Sequence, residues 1–170
     1  MIETDRLRLR PPRLADAGTL FAFLGDPVAM RFTHVQPSLR ALRRHIAAYE
    51  HQRGRIGCAP WTIFEKAGGG IVGWGGLYED PFDRGWGIEI GYHFAPSAWG
   101  RGYATELALL CLRVARDELR IERLTAFVHP DNAASRRVLE KAGFLVVRFV
   151  PEMQRYLYHC RLAEGQWSEA

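Results

Sequence analysis

Lysine is almost missing from this chain: of 23 basic residues only Lys66 and Lys141 are lysine, and arginine supplies the rest. The arginines are spread along the sequence, and the densest group, Arg40, Arg43 and Arg44, fits one solvated helix face. The net charge of +4 therefore follows from arginine usage, and a nucleic-acid partner is not expected from it. Cysteine is scarce as well. Cys58, Cys111 and Cys160 are widely spaced and fit neither a disulfide framework nor a zinc pattern. The 6 histidines (34, 45, 51, 93, 129, 159) show no ligand spacing, so no metal is expected. No apolar run approaches the roughly 20 residues that span a bilayer, so no membrane partner is expected. The opening "MIETDRLRLRPP" has no apolar signal-peptide core, which points to the cytoplasm.

What is present describes an ordinary globular chain. Its 170 residues, 48% hydrophobic and 25% charged, are enough for one domain with a core. "RLRLR" (residues 6–10) alternates as a half-buried strand does, and Pro11 and Pro12 end it. "LADAGTLFAFL" (14–24) sets Leu14, Ala17, Phe21 and Leu24 at helical spacing, and "GDP" stops it. Ser38 predicts the cap of a second helix with Leu39, Leu42, Ile46 and Tyr49 on one side. "PWTIFEK" and "IVGWGGLY" flank "AGGG" as two antiparallel strands, and "WGIEIGYHF" (86–94) is the next strand.

The rhythm then changes. A helix over about 102–119 turns Leu107, Leu110, Cys111 and Val114 inward, and "RLTAFV" (123–128) is a strand. "DNAASRRVLEKAG" (131–143) is a helix with Asp131 or Asn132 as its cap and Gly143 just past its end. "FLVVRFV" and "RYLYHCRL" close the chain as strands. Antiparallel strands followed by a β-α-β-α-β run, with no repeat and no linker, imply one mixed α/β domain over 1–170.

"APSAWGRGYATE" (95–106) stands between a strand and a helix, with Gly100 and Gly102 flanking Arg101. A helix N-terminus exposes unpaired N–H groups and a partial positive charge, and glycines remove the Cβ atoms that would hold a ligand away. The stretch reads as a phosphate cradle. A dinucleotide fingerprint would need Gly or Ala where Thr105 stands, and the Gly-Lys-Ser/Thr of a P-loop is absent. A tight turn into a helix is the plainer alternative.

"PSAWGRGYATELA" followed by "NAASRRVLEKAGF" resembles the GNAT superfamily of acyl-CoA-dependent N-acetyltransferases. With "ETDRLRLRPP" and "GDPVAMRF", the chain is most similar to the branch that holds the ribosomal-protein N-terminal (alanine/serine) acetyltransferases. The resemblance implies a single domain around a twisted, mostly antiparallel mixed sheet of about 6–7 strands, splayed at the cofactor site, with about four helices. It implies acetyl-CoA as cosubstrate. Gly100, Arg101, Gly102, Tyr103, Ala104 and Thr105 would border its pyrophosphate, with Trp99 where the wider superfamily has Arg or Gln. Arg101 would add a charge contact unless it is simply a solvated loop residue. The strand over 92–95, with Phe94 and Ala95, would carry a bulge and splay so that backbone groups meet the pantetheine arm. Asn132 would contact that arm, and Ser135 would face the same region.

Many relatives carry a tyrosine acid where this chain has Leu139, so Ser135 becomes the candidate donor; some carry a glutamate base where this chain has Phe127. Alternation puts Glu89, Gly91 and His93 on one strand face and Ile88, Ile90, Tyr92 and Phe94 on the other. A mid-strand glutamate is costly to bury unpaired. Glu89 is therefore either the general base that takes the amine proton or half of a salt bridge to an arginine. The acceptor would be a protein N-terminus or a small amine, such as an aminoglycoside or polyamine. Its pocket would draw on residues 21–55 and on the loop holding Glu79, Asp80 and Asp83. A non-catalytic acyl-CoA sensor and a ribosome- or RNA-binding module are the alternatives from other classes. The chain would be a monomer or homodimer.

Overall fold

The computed structural model describes residues 1–162; residues 163–170, which fall within the single domain expected over 1–170, lie outside the described part. The elements run β1 (Ile2–Glu3), β2 (Leu7–Arg10), α1 (Ala17–Leu24), α2 (Leu39–Ile56), β3 (Trp61–Glu65), β4 (Ile71–Tyr78) and β5 (Glu89–Phe94). Then come α3 (Tyr103–Asp117), β6 (Arg123–Val128), α4 (Ala133–Lys141), β7 (Leu145–Val150) and β8 (Arg155–Arg161). Among the described residues eight strands, where about six or seven were expected, form one sheet in the order β1-β2-β3-β4-β5-β6-β8-β7. The extra strand is the two-residue β1, too short to leave an alternation pattern.

Local chemistry explains most boundaries. Ser38 caps α2 by accepting from the Ala41 N–H at 3.1 Å, and Gly57 ends it in the left-handed region at φ 82°. Asn132 caps α4 by accepting from the Ser135 N–H at 3.1 Å. Two boundaries depart from expectation. Residues 14–16 form a 3-10 turn, which shifts the face of α1: Leu14 is exposed, while Leu20 and Phe23 join Ala17 and Leu24 in burial. The strand expected over 86–94 begins at Glu89; Gly85 and Gly87 before it sit at φ 109° and 79°, outside strand geometry.

The sheet separates two apolar clusters. Leu20, Phe23, Leu24, Leu42, Ile46 and Tyr49 of α1 and α2 pack with Trp74. Leu107, Leu110, Cys111 and Val114 of α3 pack with Leu139 and the strand residues Leu77, Ile90, Phe94 and Leu124. β5 therefore alternates as expected: Ile90 and Phe94 face α3, while His93 stacks on Trp74 at 6.3 Å.

The strand pair that matters for the site is β5 and β6. They run parallel, joined by α3, and among the described residues they meet at one register point, Glu89 opposite Thr125, with the Thr125 N–H on the Ile88 carbonyl at 2.9 Å. Beyond that point they diverge. β6 turns to pair with β8 from Arg123 to Val128, leaving a wedge between β5 and β6. The bulge expected in 92–95 is not there. β5 keeps one continuous register with β4 from Glu89–Tyr78 to Phe94–Gly73, so divergence of β6 alone makes the opening.

Candidate active site

The wedge opens into a cleft of about 680 Å³, lined from one side by residues 102–105 and α4 and from the other by His45, Tyr49, Trp74, Tyr78 and Asp80. That size suits a drug-sized or cofactor-sized ligand. Its two halves have different chemistry.

On the α3–α4 side lies the glycine turn. Gly100 and Gly102 both adopt left-handed backbone, at φ 71° and 78°. Gly102 is the N-cap residue of α3, and no side chain caps the helix. The N–H groups of its first turn are thus left for a ligand, together with the positive end of the helix dipole. These features fit an anionic diphosphate. Gly100, Gly102, Tyr103, Ala104, Thr105, Phe94, Trp99, Asn132 and Ser135, the residues the resemblance assigns to the cofactor, line the cleft.

Two expected contacts fall elsewhere. Ala95 does not border the cleft: its N–H bonds the Val72 carbonyl at 2.9 Å and its carbonyl accepts from Ala98 at 2.8 Å, so both backbone groups are already used. The Arg101 side chain also turns away, to an ion pair with Glu65 and a position over the Tyr103 ring, 4.8 Å from its centroid. Its charge serves the turn, because Glu65 accepts from the Tyr103 hydroxyl at 2.9 Å as well. Trp99 contributes by donating its indole N–H to the Phe94 carbonyl at 2.8 Å.

The cradle is braced from a distant part of the chain. Glu106, in the first turn of α3, accepts from the Arg6 N–H at 2.8 Å, from Arg6 Nε at 2.7 Å and from the Thr4 hydroxyl at 2.5 Å. Arg6 also donates to the Arg101 carbonyl at 2.7 Å and lies over the Tyr103 ring. Sequence patterning assigned Arg6 only to a strand; its part in the cradle has no local signal.

On the other side lies the carboxylate. Glu89 is 6% exposed, and neither it nor Glu79, Asp80 or Asp83 forms a salt bridge among the described residues. Burial raises its pKa to about 8, Asp80 and Asp83 push the same way, and Arg155 opposes them. This decides against a structural salt bridge for Glu89. Around it, Tyr49 meets Trp74 and Tyr78 edge-on at 5.6 and 5.2 Å, and His45 stacks on Phe82 at 5.2 Å. The Trp74 indole N–H is buried without a partner and borders the cleft. His93, behind Glu89 on the same face, is held neutral by burial, with its pKa lowered to about 4. Phe127 fills its expected place on the wall, edge-on to Trp86 at 5.1 Å. Among the described residues no three His, Cys, Asp or Glu side chains gather as metal ligands.

Fold and cleft match one class of enzyme, the acyl-CoA-dependent N-acetyltransferases, which use acetyl-CoA as cosubstrate. The chain belongs to the GNAT acetyltransferase family: residues 6–145 match the model of its acetyltransferase domain. It is 34% identical over 141 residues to the uncharacterized protein YkkB of Bacillus subtilis (strain 168), covering 82% of each chain. It is 28% identical over 150 residues to the uncharacterized N-acetyltransferase YoaA of the same organism, covering 85% of this chain and 82% of that one. Among solved structures, Mycobacterium smegmatis RimJ in complex with CoA-disulfide superposes with a TM-score of 0.77 at 22% identity, over 95% of this chain and 85% of that one. AAC(6')-Ib in complex with ribostamycin and coenzyme A does so with a TM-score of 0.77 at 17% identity, over 98% and 100%.

Proposed function

We propose that this domain transfers the acetyl group of acetyl-CoA to a primary amine by direct attack, with Glu89 as the base. The observation that carries the reading is the position of Glu89: a buried, unpaired carboxylate at the closed end of the β5–β6 wedge. Acetyl-CoA supplies an already activated thioester. The N–H groups of residues 102–105 hold its diphosphate, and Asn132 and Ser135 line the path of the arm from the cradle into the wedge. The Glu89 carboxylate removes a proton from the incoming ammonium, and its raised pKa places it near the operating pH, where a base works best. On the α4 wall, hydroxyl chemistry centred on Ser135 serves the departing sulfur.

The acceptor enters from the α1–α2 side, past Asp80 and Asp83, whose charges attract a cation. The unpartnered Trp74 N–H offers a hydrogen bond to an oxygen on the same molecule. A peptide N-terminus and an oxygen-bearing small amine both meet these demands; AAC(6')-Ib binds ribostamycin in the same fold. The chain acts in the cytoplasm, where acetyl-CoA is made. A screen following coenzyme A release, with peptides of varied first residue and a panel of amines, tests the reading. Release that depends on an amine supports it. Acetyl-CoA binding with no release for any acceptor overturns it in favour of a sensor.

A further inference from the structure

Tyr92 is the side chain of β5 that reaches α4 across the wedge. Its hydroxyl lies 3.1 Å from Ser135 Oγ and 3.5 Å from the Ser135 carbonyl. Ser135 is itself fixed, because its N–H bonds the Asn132 side chain at 3.1 Å. Both residues are half-buried and border the cleft between the cradle and Glu89. One turn further along α4, Leu139 is 1% exposed and meets the cleft only with an aliphatic side chain, which has no proton to give. The other phenol on this side, Tyr103, is committed to Glu65 at 2.9 Å.

Resting on the acetyl-transfer reading above, we infer that Tyr92 is the proton donor to the departing sulfur and that Ser135 is the residue that orients its hydroxyl. The step balances. The amine nitrogen forms a bond to the acetyl carbon, and the C–S bond breaks with its electron pair remaining on sulfur. The Tyr92 hydroxyl gives its proton to that sulfur, so coenzyme A leaves as a thiol. The proton that Glu89 took from the ammonium passes to solvent, the nitrogen sheds its second proton to solvent as the adduct collapses to the amide, and the phenolate regains one proton from solvent, so one proton is released overall. Burial raises the Tyr92 pKa to about 12, with the Ser135 hydrogen bond acting against it, so the proton is in place at neutral pH. Glu89 and Tyr92 stand on opposite faces of the same strand, three residues apart. The strand thus presents a base to the acceptor half of the cleft and an acid to the thiol half.

The test uses Tyr92→Phe, Ser135→Ala and Ser135→Thr in the full chain. Tyr92→Phe lowers kcat by roughly 10- to 100-fold, the scale of general-acid loss, with the acetyl-CoA Kd changed by no more than about twofold. Calorimetry supplies a readout independent of turnover. The wild type binds coenzyme A more tightly than desulfo-coenzyme A, and Tyr92→Phe loses that preference because the hydroxyl that meets the sulfur is gone. Ser135→Ala weakens both effects partially, and Ser135→Thr restores them. A Tyr92→Phe enzyme with wild-type kcat and an intact preference overturns the assignment while leaving acetyl transfer standing. Wild-type protein that neither binds acetyl-CoA nor releases coenzyme A overturns both. Should Tyr92→Phe not fold, unchanged kcat and preference in Ser135→Ala overturn the pairing by themselves.

Discussion

Glu89 stands opposite Thr125 at the point where β5 and β6 part. Thr125 is anchored on both its donors, with its N–H on the Ile88 carbonyl and its hydroxyl on the Trp86 carbonyl, each at 2.9 Å. The carboxylate is thereby fixed at the apex of the wedge by backbone pairing, with no counter-ion to hold it. A carboxyl positioned this way keeps a raised pKa, since burial and the charges of Asp80 and Asp83 outweigh the opposing Arg155.

The kinetic consequence is a pH profile. Glu89 accepts a proton only when ionised, and its pKa is about 8. Turnover of the wild type therefore rises as pH increases through that value. Glu89→Gln lowers turnover by roughly 10²-fold or more at neutral pH, with acetyl-CoA affinity unchanged. The variant recovers part of its rate at high pH as free amine accumulates. Steady-state rates from pH 6 to 9 check this; a Gln variant with wild-type turnover throughout assigns the proton to solvent.

The same carboxyl costs stability. Its folded pKa lies above the ordinary 4.5, so the folded state binds the proton more tightly than the unfolded one. The stabilising protonation is fully present below about 4.5 and is lost as pH rises through about 8. Glu89→Gln is therefore more stable than the wild type at pH 9, by on the order of a few kcal/mol, and the gap closes by pH 5. Urea melts at the two pH values measure it.

At the cradle, backbone and charge separate. A Cβ at position 102 would sit at φ 78° and approach Arg6 Nη2 at 3.3 Å. Gly102→Val strains the turn, crowds the open amides and weakens acetyl-CoA binding tenfold or more, about 1.4 kcal/mol. Arg101→Ala removes a charge already paired with Glu65 and shifts Kd by no more than about threefold, about 0.6 kcal/mol. Titration calorimetry on both variants decides; equal losses would return Arg101 to the cofactor.

Acetyl-CoA binds only the folded cleft. At 100 times its Kd it adds about 2.7 kcal/mol of stability. For a chain of this size that is a rise in Tm of roughly 5–10 °C, readable in a thermal scan. No shift in protein freed of copurified coenzyme A would contradict the cradle.

Local order was legible in the sequence where chemistry is local. Ser38 and the Asp131–Asn132 pair announced their helices, the structure choosing Asn132 as the cap, and alternation assigned Glu89 and Ile90 to opposite faces. Long-range pairing was not. β8 inserts between β6 and β7, although β7 precedes it in the chain, and a strand carries no mark of its neighbours. The glycine spacing marked the uncapped turn into α3, but Arg101 lies in that turn by sequence and its side chain leaves it for Glu65. The Tyr92–Ser135 contact joins residues 43 apart. Tyr92 looked like one more strand aromatic until α4 was set beside it.

The brace on Glu106 also bears on how the molecule assembles. Glu106 and Arg6 are separated by 100 residues, so the start of the chain must return to α3 before the turn over 100–105 is rigid. Local elements such as α2 and the β3–β4 hairpin can form early, but contacts this distant form slowly because they close a long loop. The turn we propose for the diphosphate is therefore completed late in folding, and it reports that the start of the domain has found its middle.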